Sequence, residues 1–233
     1  MQEWTEPARK VVLAIQAHPD DVDFSSGGTV AKFVRDGHEV HYLSVTSGNK
    51  GTHDRSMPPE RLAEIREEEE REAARRLGVS SCRFLRHNDG EVEVNLGLRR
   101  EVCQVIREIR PFTVMTFDGW RPYQLHPDHR AVGIVAMDAI IAARDHLFFP
   151  EQLGPELDIA RVHEVLLFGT GEPDTWIDIS ETIETKIYAA SAHVSQLHGD
   201  PDERAERQRA RAREIGAPHG MAYAEAFKRL RLN

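Results

Sequence analysis

The sequence predicts a doubly wound α/β domain, a mostly parallel sheet flanked by helices, and three observations carry that expectation. Short apolar runs rich in β-branched residues alternate with longer stretches whose apolar residues recur at helical spacing, the order that builds parallel sheets. Two of the runs are followed by loops crowded with His and Asp, at the strand ends where open α/β sheets place their ligands. No long polar linker and no internal repeat divides the 233 residues, of which 40% are hydrophobic, so a single domain over 1–233 with a substantial core is expected.

Taken in order, Val11-Val12-Leu13-Ala14-Ile15 reads as a buried strand that stops at Gln16-Ala17-His18-Pro19-Asp20-Asp21-Val22-Asp23. That stretch sets one imidazole and three carboxylates at the carboxyl end of the strand. Ser25-Ser26-Gly27-Gly28-Thr29 leads into a short helix from Val30 to Gly37, and Val40 to Thr46 has the character of a second strand. Gly27-Gly28 suits a phosphate at a helix start or close packing of helix on loop, and close packing is the expectation. Pro58-Pro59 precede a helix from Glu60 to Leu77, ended by Gly78, and Cys82 to Leu85 is a third strand before the turn Asn88-Asp89-Gly90.

A helix from Leu96 to Ile109 stops at Pro111, and Phe112 to Phe117 is a strongly apolar fourth strand. It runs into Asp118 to Arg130, which contains His126-Pro127-Asp128-His129, and then into an apolar helix from Ala131 to Ala143. His146 to Ala160 is irregular, and Val162 to Phe168 and Thr175 to Ile179 are later strands. The last stretch reads as helical, with Ile183, Ile187, Val194 and Leu197 on one face, then a charged helix and finally Tyr223 to Leu230.

A formal net charge of -9 argues against a nucleic-acid groove or an anionic membrane as partner and suits a small molecule of little charge. No apolar run approaches the roughly 20 residues needed to span a bilayer, and Met1 to Pro7 lacks a signal pattern, so a cytoplasmic protein is expected. Cys82 and Cys103 are too few for a disulfide framework and read as reduced and structural. The charge runs Arg61 to Arg76 and Glu203 to Glu214 read as solvated helix faces.

His18, Asp20, Asp21, His126, Asp128 and His129 come from two loops that a parallel sheet brings to one edge. A single His-Pro-Asp is commonplace in turns, but two, each just after a strand, point to a metal site. Two histidines and one carboxylate leave a position open for water, the pattern of a catalytic zinc, and they also suit ferrous ion. Such an ion lowers the pKa of water to about 7 and polarises a carbonyl, with a further carboxylate and histidine available as base and acid. The chemistry expected is hydrolysis.

Ala17-His18-Pro19-Asp20-Asp21 with Gly27-Gly28-Thr29, followed by His126-Pro127-Asp128-His129, resembles the LmbE-like, PIG-L family of zinc-dependent de-N-acetylases. The resemblance runs over nearly the whole chain, with support from Leu62 to Glu67, Asp89-Gly90, His193 to Gln196 and Tyr223 to Phe227. It implies a Rossmann-like fold in which His18, Asp21 and His129 bind zinc, Asp20 is the general base, and His126 stabilises the oxyanion or protonates the amine. It further implies that Asp128 shapes the loop, that Arg66 and Asp89 contact the sugar, and that His193 lines either the core or the pocket. An N-acetylated amino sugar of the GlcNAc type, or its conjugate, is the implied substrate, and a homo-oligomer the implied assembly. The chain departs from the family's usual pattern at Val22 and at Gln124-Leu125, beside the reacting groups, which bears on substrate choice.

Two other readings are set against this one. A dinucleotide-binding module also begins with strand, glycine loop and helix, but no Gly-x-Gly-x-x-Gly follows the first strand and no acid ends the second. An amidase acting on a larger thiol-sugar conjugate would use the same site and differ only in substrate.

Overall fold

A computed structural model of the chain describes residues 7–232; Met1 to Glu6, read above for a targeting signal, lie outside the described residues. The elements are β1 (Val11–Gln16), α1 (Asp21–Arg35), β2 (Glu39–Thr46), α2 (Pro59–Leu77), β3 (Ser81–His87), α3 (Leu96–Ile109), β4 (Thr113–Phe117), α4 (Pro127–Ala143), β5 (Glu164–Phe168), β6 (Thr175–Asp178), α5 (Ile183–Ala190), α6 (Pro201–Gly216) and β7 (Ala224–Arg231). The strands form one sheet in the order β3-β2-β1-β4-β5-β7-β6, with the first five parallel and β7 antiparallel to both its neighbours. This is the expected α/β sheet. Among the described residues no helix is long and apolar enough to cross a membrane.

Strands covered on both faces must be apolar throughout, and β1, β4 and β5 are buried along nearly their whole length. Helices α1, α2 and α5 pack together on the sheet, and α3 packs on α4. From β1 the chain winds outward through β2 to β3, then returns to β4 beside β1 and winds the other way to β5. The loops after β1 and β4 therefore lie side by side at the point where the winding reverses.

Glycines set the approach of α4 to the end of β4. A Cβ on Gly133 would come within 2.7 Å of the Phe117 carbonyl oxygen and the Gly119 nitrogen. Backbone lies on backbone there, and this contact brings the first turn of α4 over the strand end.

Four boundaries differ from the sequence expectation. Helix α4 begins at Pro127 rather than Ala131, so Asp128 and His129 lie in its first turn and not on a loop. Helix α1 begins at Asp21 rather than Val30, so Gly27-Gly28 is inside it. A Cβ on Gly28 would meet Ile179 Cδ1 at 2.7 Å, and the Glu225 carboxylate accepts the N–H groups of Gly28 (3.0 Å) and Thr29 (2.7 Å). The pair serves close packing, as expected, and the N–H groups a phosphate would need are taken. Helix α5 ends at Ala190, and Val194, expected on its buried face, is exposed in a separate short turn. Tyr223 to Leu230, read as a helical ending, contributes instead to β7, because pairing with β5 and β6 overrides the helix-favouring composition of Ala224-Glu225-Ala226.

Candidate active site

The end of β1 delivers His18 into the cleft between the two loops, and His18 is the hub of the cluster. Its Nε2 lies 3.1 Å from both Asp89 Oδ1 and Asp128 Oδ2. Its Nδ1 lies 3.3 Å from Asp21 Oδ2 and 3.3 Å from His129 Nε2, and that nitrogen is 3.2 Å from Asp21 Oδ1. The two carboxylates hold a proton on Nε2, so a neutral His18 would present its Nδ1 lone pair to Asp21 and His129.

Each partner is placed by its element. Asp21 is the first residue of α1, His126 is the residue capping α4, and His129 lies in the first turn of α4. The His129 ring is sandwiched, with Phe117 stacked at 4.1 Å on one side and His126 at 4.5 Å on the other. Asp128 is fully buried and accepts the N–H groups of Gly90 (2.6 Å) and Val92 (3.2 Å), tying the loop after β3 to α4. It shapes the loop as expected, and it also orients His18.

These residues fit a metal ion. Tetrahedral bonds of about 2.0–2.1 Å place ligand atoms about 3.3 Å apart, which is the separation of His18 Nδ1 and His129 Nε2, and each of these nitrogens has its own Asp21 oxygen, Oδ2 and Oδ1 respectively, at 3.2–3.3 Å. His18, Asp89, His126 and Asp128 form an overlapping group of donors. Charge points the same way. Burial disfavours the His18 imidazolium, but the Asp21 charge and the hydrogen bonds to Asp128, Asp21 and Asp89 together outweigh it and push His18 up to about 12. Burial would raise Asp21, yet His18 and His129 hold it far below the carboxylate range. A pocket that retains a proton so firmly favours positive charge, and a metal cation would enter by displacing that proton.

Asp20, next in sequence to Asp21, faces the other way. Its carboxylate Oδ2 accepts Arg66 Nη2 at 3.0 Å, and its N–H donates to Glu70 Oε2 at 2.9 Å. Burial lifts Asp20 to about 7 against the pull of Arg66, which places its proton affinity where a base at neutral pH needs it. His126 is pushed below its ordinary value by burial, then by the charges of His18 and His129. Its Nδ1 is buried without a hydrogen-bond partner among the described residues.

Two residues set toward the sugar by the resemblance have nearer partners. Arg66 is 4% exposed and also donates to the carbonyls of Gly48 (3.0 Å) and Pro19 (2.8 Å), so it is built into the floor beneath Asp20. Asp89 bonds His18 and accepts the Lys50 N–H at 3.3 Å.

A second cluster lies behind the first. His193 Nε2 bonds Asp23 Oδ2 at 2.7 Å and sits 3.8 Å from Glu70 Oε2, all three side chains being buried. His193 therefore lines the core, and Asp23 and Glu70 were missed in the sequence. Glu70 carried a signal: with Leu62, Arg66, Ala73 and Leu77 it falls on the buried stripe of α2, so that charge run is solvated on one side only. A cavity of about 540 Å³ opens nearby between α1, the end of β5 and α6, lined by Phe24, Phe168, Arg204, Gln208 and Arg211 among others; it includes none of the His18 cluster.

Residues 13–140 match the family model described as PIG-L, GlcNAc-PI de-N-acetylase. The chain belongs to the PIG-L family. Among its relatives, the diacetylchitobiose deacetylase of Thermococcus kodakarensis is 36% identical over 220 residues, covering 94% of this chain and 82% of that protein. The solved N,N'-diacetylchitobiose deacetylase of Pyrococcus horikoshii, in complex with its inhibitor, superposes with a TM-score of 0.89 at 34% identity over 95% of this chain and 84% of that one. The 4-carboxy-2-hydroxymuconate hydratase GalB of Pseudomonas putida has the same fold, with a TM-score of 0.80 at 23% identity over 96% of this chain and 97% of that one. One fold thus carries more than one named activity, and the site must decide.

Proposed function

We propose that the protein is a metal-dependent deacetylase that hydrolyses the N-acetyl group of an amino sugar of the GlcNAc type, or of its conjugate, to free amine and acetate. The observation that carries this reading is the meeting of His18, Asp21 and His129, with His18 Nδ1 and His129 Nε2 3.3 Å apart, each within 3.3 Å of an Asp21 oxygen, and His126 packed against both rings. Membership of the PIG-L family and the names of the similar deacetylases support it. His18, Asp21 and His129 are the proposed ligands, and zinc or ferrous iron is the ion their chemistry suits. When bound, such an ion supplies a Lewis acid for the amide carbonyl and makes water acidic enough to attack near neutral pH.

Asp20 takes the proton from the attacking water as its oxygen bonds the acyl carbon. As the carbon–nitrogen bond breaks, Asp20 returns that proton to the amine. His126, held neutral by its lowered pKa, donates a hydrogen bond to the acyl oxygen where negative charge develops. Arg66 holds the Asp20 carboxylate at 3.0 Å, and Asp89 and Asp128 hold His18. The test is release of free amine from N-acetylated amino sugars and their conjugates by protein loaded with zinc or ferrous ion. Activity that chelator abolishes is expected; no amine from any of them overturns the reading, whereas release only from conjugates whose acyl group is larger than acetyl identifies an amidase.

A further inference from the structure

Asp20 and Asp21 are neighbours with different tasks, and what separates them is the backbone at Asp20. It has φ 102° and ψ -25°, a left-handed conformation that strains a residue bearing a Cβ. Asp20 precedes the first residue of α1, yet its side chain caps nothing there. The strain persists because α2 grips this turn from one face. Arg66 takes the Pro19 carbonyl and the Asp20 carboxylate, and one helical turn further on Glu70 takes the Asp20 N–H.

Glu70 is itself held from three sides. Its Oε1 accepts Gln16 Nε2 at 2.6 Å, and the other end of that amide, Gln16 Oε1, accepts the Val22 N–H at 2.9 Å. Glu70 and Gln16 thus hold the Pro19–Asp20 and Asp21–Val22 peptides, on either side of the Asp20–Asp21 pair. Behind Glu70 stands His193, fixed by Asp23, whose other oxygen accepts the Tyr42 hydroxyl at 3.0 Å. A fully buried carboxylate is a poor space-filler, because burying its charge is unfavourable unless it is well partnered. Here it secures the N–H of the strained residue.

We propose that Glu70, braced by Gln16 and the Asp23–His193 pair, is a positioning residue of the reaction: it locks the left-handed turn that aims the Asp20 carboxylate apart from that of Asp21. This rests on the reading of Asp20 as the base. Glu70 touches neither the proposed ligands nor the acyl group and acts through Asp20.

The experiment compares Glu70→Ala and Glu70→Gln in the metal-loaded full chain. Glu70→Ala is expected to lower kcat by about 10 to 100-fold, the effect of a small misplacement, with KM and metal content unchanged. Glu70→Gln, whose amide oxygen can still accept the Asp20 N–H, should recover most of that loss. In an Asp20→Asn background, Glu70→Ala should cost nothing further, because the two act as one unit. Amide exchange at Asp20, which needs no substrate, should lose its protection in Glu70→Ala. If the alanine variant does not fold, Glu70→Met, which fills the space without an acceptor, carries the same expectations. An unchanged kcat, an equal loss in both backgrounds, or retained protection of the Asp20 amide overturns the proposal. A wild-type protein that hydrolyses no sugar amide overturns the reading of the site instead, and the exchange measurement still decides whether Glu70 locks the turn.

Discussion

The protein holds two clusters of histidine and carboxylates on either side of the Asp20 turn, nearly alike in composition and opposite in character. In one, His18 and His129 turn ring nitrogens toward each other at 3.3 Å and toward the two oxygens of Asp21 at 3.2–3.3 Å, beside His126 with its unpartnered nitrogen. In the other, Asp23, Glu70 and His193 spend their polar atoms on each other, on Tyr42, on Gln16 and on the backbone of Asp20. His18 and His129 of the first belong with His126 to a candidate metal group, and the three residues of the second form another. What distinguishes them is whether donors are left over once the chain has satisfied itself. The first cluster is open for chemistry, and the second holds it in place.

The sharpest way to break that contrast is to remove the metal. Chelation is expected to abolish turnover, with a divalent ion restoring it, and His129→Ala or Asp21→Ala should lose both metal and activity, while His193→Gln should keep its metal. Elemental analysis of the variants checks this, and a metal content indifferent to His129 would end the ligand assignment.

Next in size are the groups that flank the ion without holding it. Asp20→Asn should retain metal and lose about 10²–10⁴-fold in turnover, since an amide cannot take the proton. His126→Ala should also retain metal and lose about 10²–10³-fold. A metal-free Asp20→Asn alongside a metal-replete Asp21→Ala would swap the two roles.

The pH dependence separates the clusters in another way. Turnover should rise with pH as Asp20 ionises, at or below pH 7, because Asp20 stands at about 7 without metal and a cation beside it draws that value down. Stability should move in the opposite direction. Burial works against the His193 imidazolium, but its hydrogen bond to Asp23 and the charges of Asp23 and Glu70 raise it to about 9. His193 titrates near 6.5 when unfolded, so its contribution, on the order of 3 kcal/mol, is complete below pH 6.5 and is lost as pH rises through about 9. Urea denaturation of the metal-loaded protein across that range should show the decline in wild type and a shallower one in His193→Gln, the remainder belonging to Glu70, which burial raises to about 8.

The smallest effect expected tests whether the clusters are mechanically separate. Gly133→Ala pushes α4 off the backbone of Phe117 and Gly119, which should destabilise the protein by about 1–3 kcal/mol and displace His126 and His129. Turnover should fall while the pH profile of stability is unchanged. A thermal melt and a kinetic assay on one preparation check both.

The open cluster was legible in the sequence because each half follows an apolar strand and breaks it with Pro, His and Asp in a few residues. The sheet was legible for the same reason, a strand buried on both faces being apolar throughout. The closed cluster was not. Asp23, Glu70 and His193 are far apart along the chain, and Glu70 sits in a run of charges where Glu67 to Glu70 look alike until the buried stripe of α2 is drawn. β7 was missed because its residue types favour a helix, and only the neighbouring strands settle the matter.

The last strand in the chain, β7, lies between β5 and β6 rather than at the edge. The five parallel strands can thus align without it, but β6 has no partner, and β5 has an open edge, until the residues from Ala224 onward join them. Completion of the sheet thus waits on contacts of high sequence separation, and Glu225, which binds Gly28, Thr29 and Lys186, fastens it to α1 and α5. A chain cut before Ala224 should therefore aggregate through the bare edge of β5. Light scattering of that truncation during refolding would show whether the final strand closes the sheet.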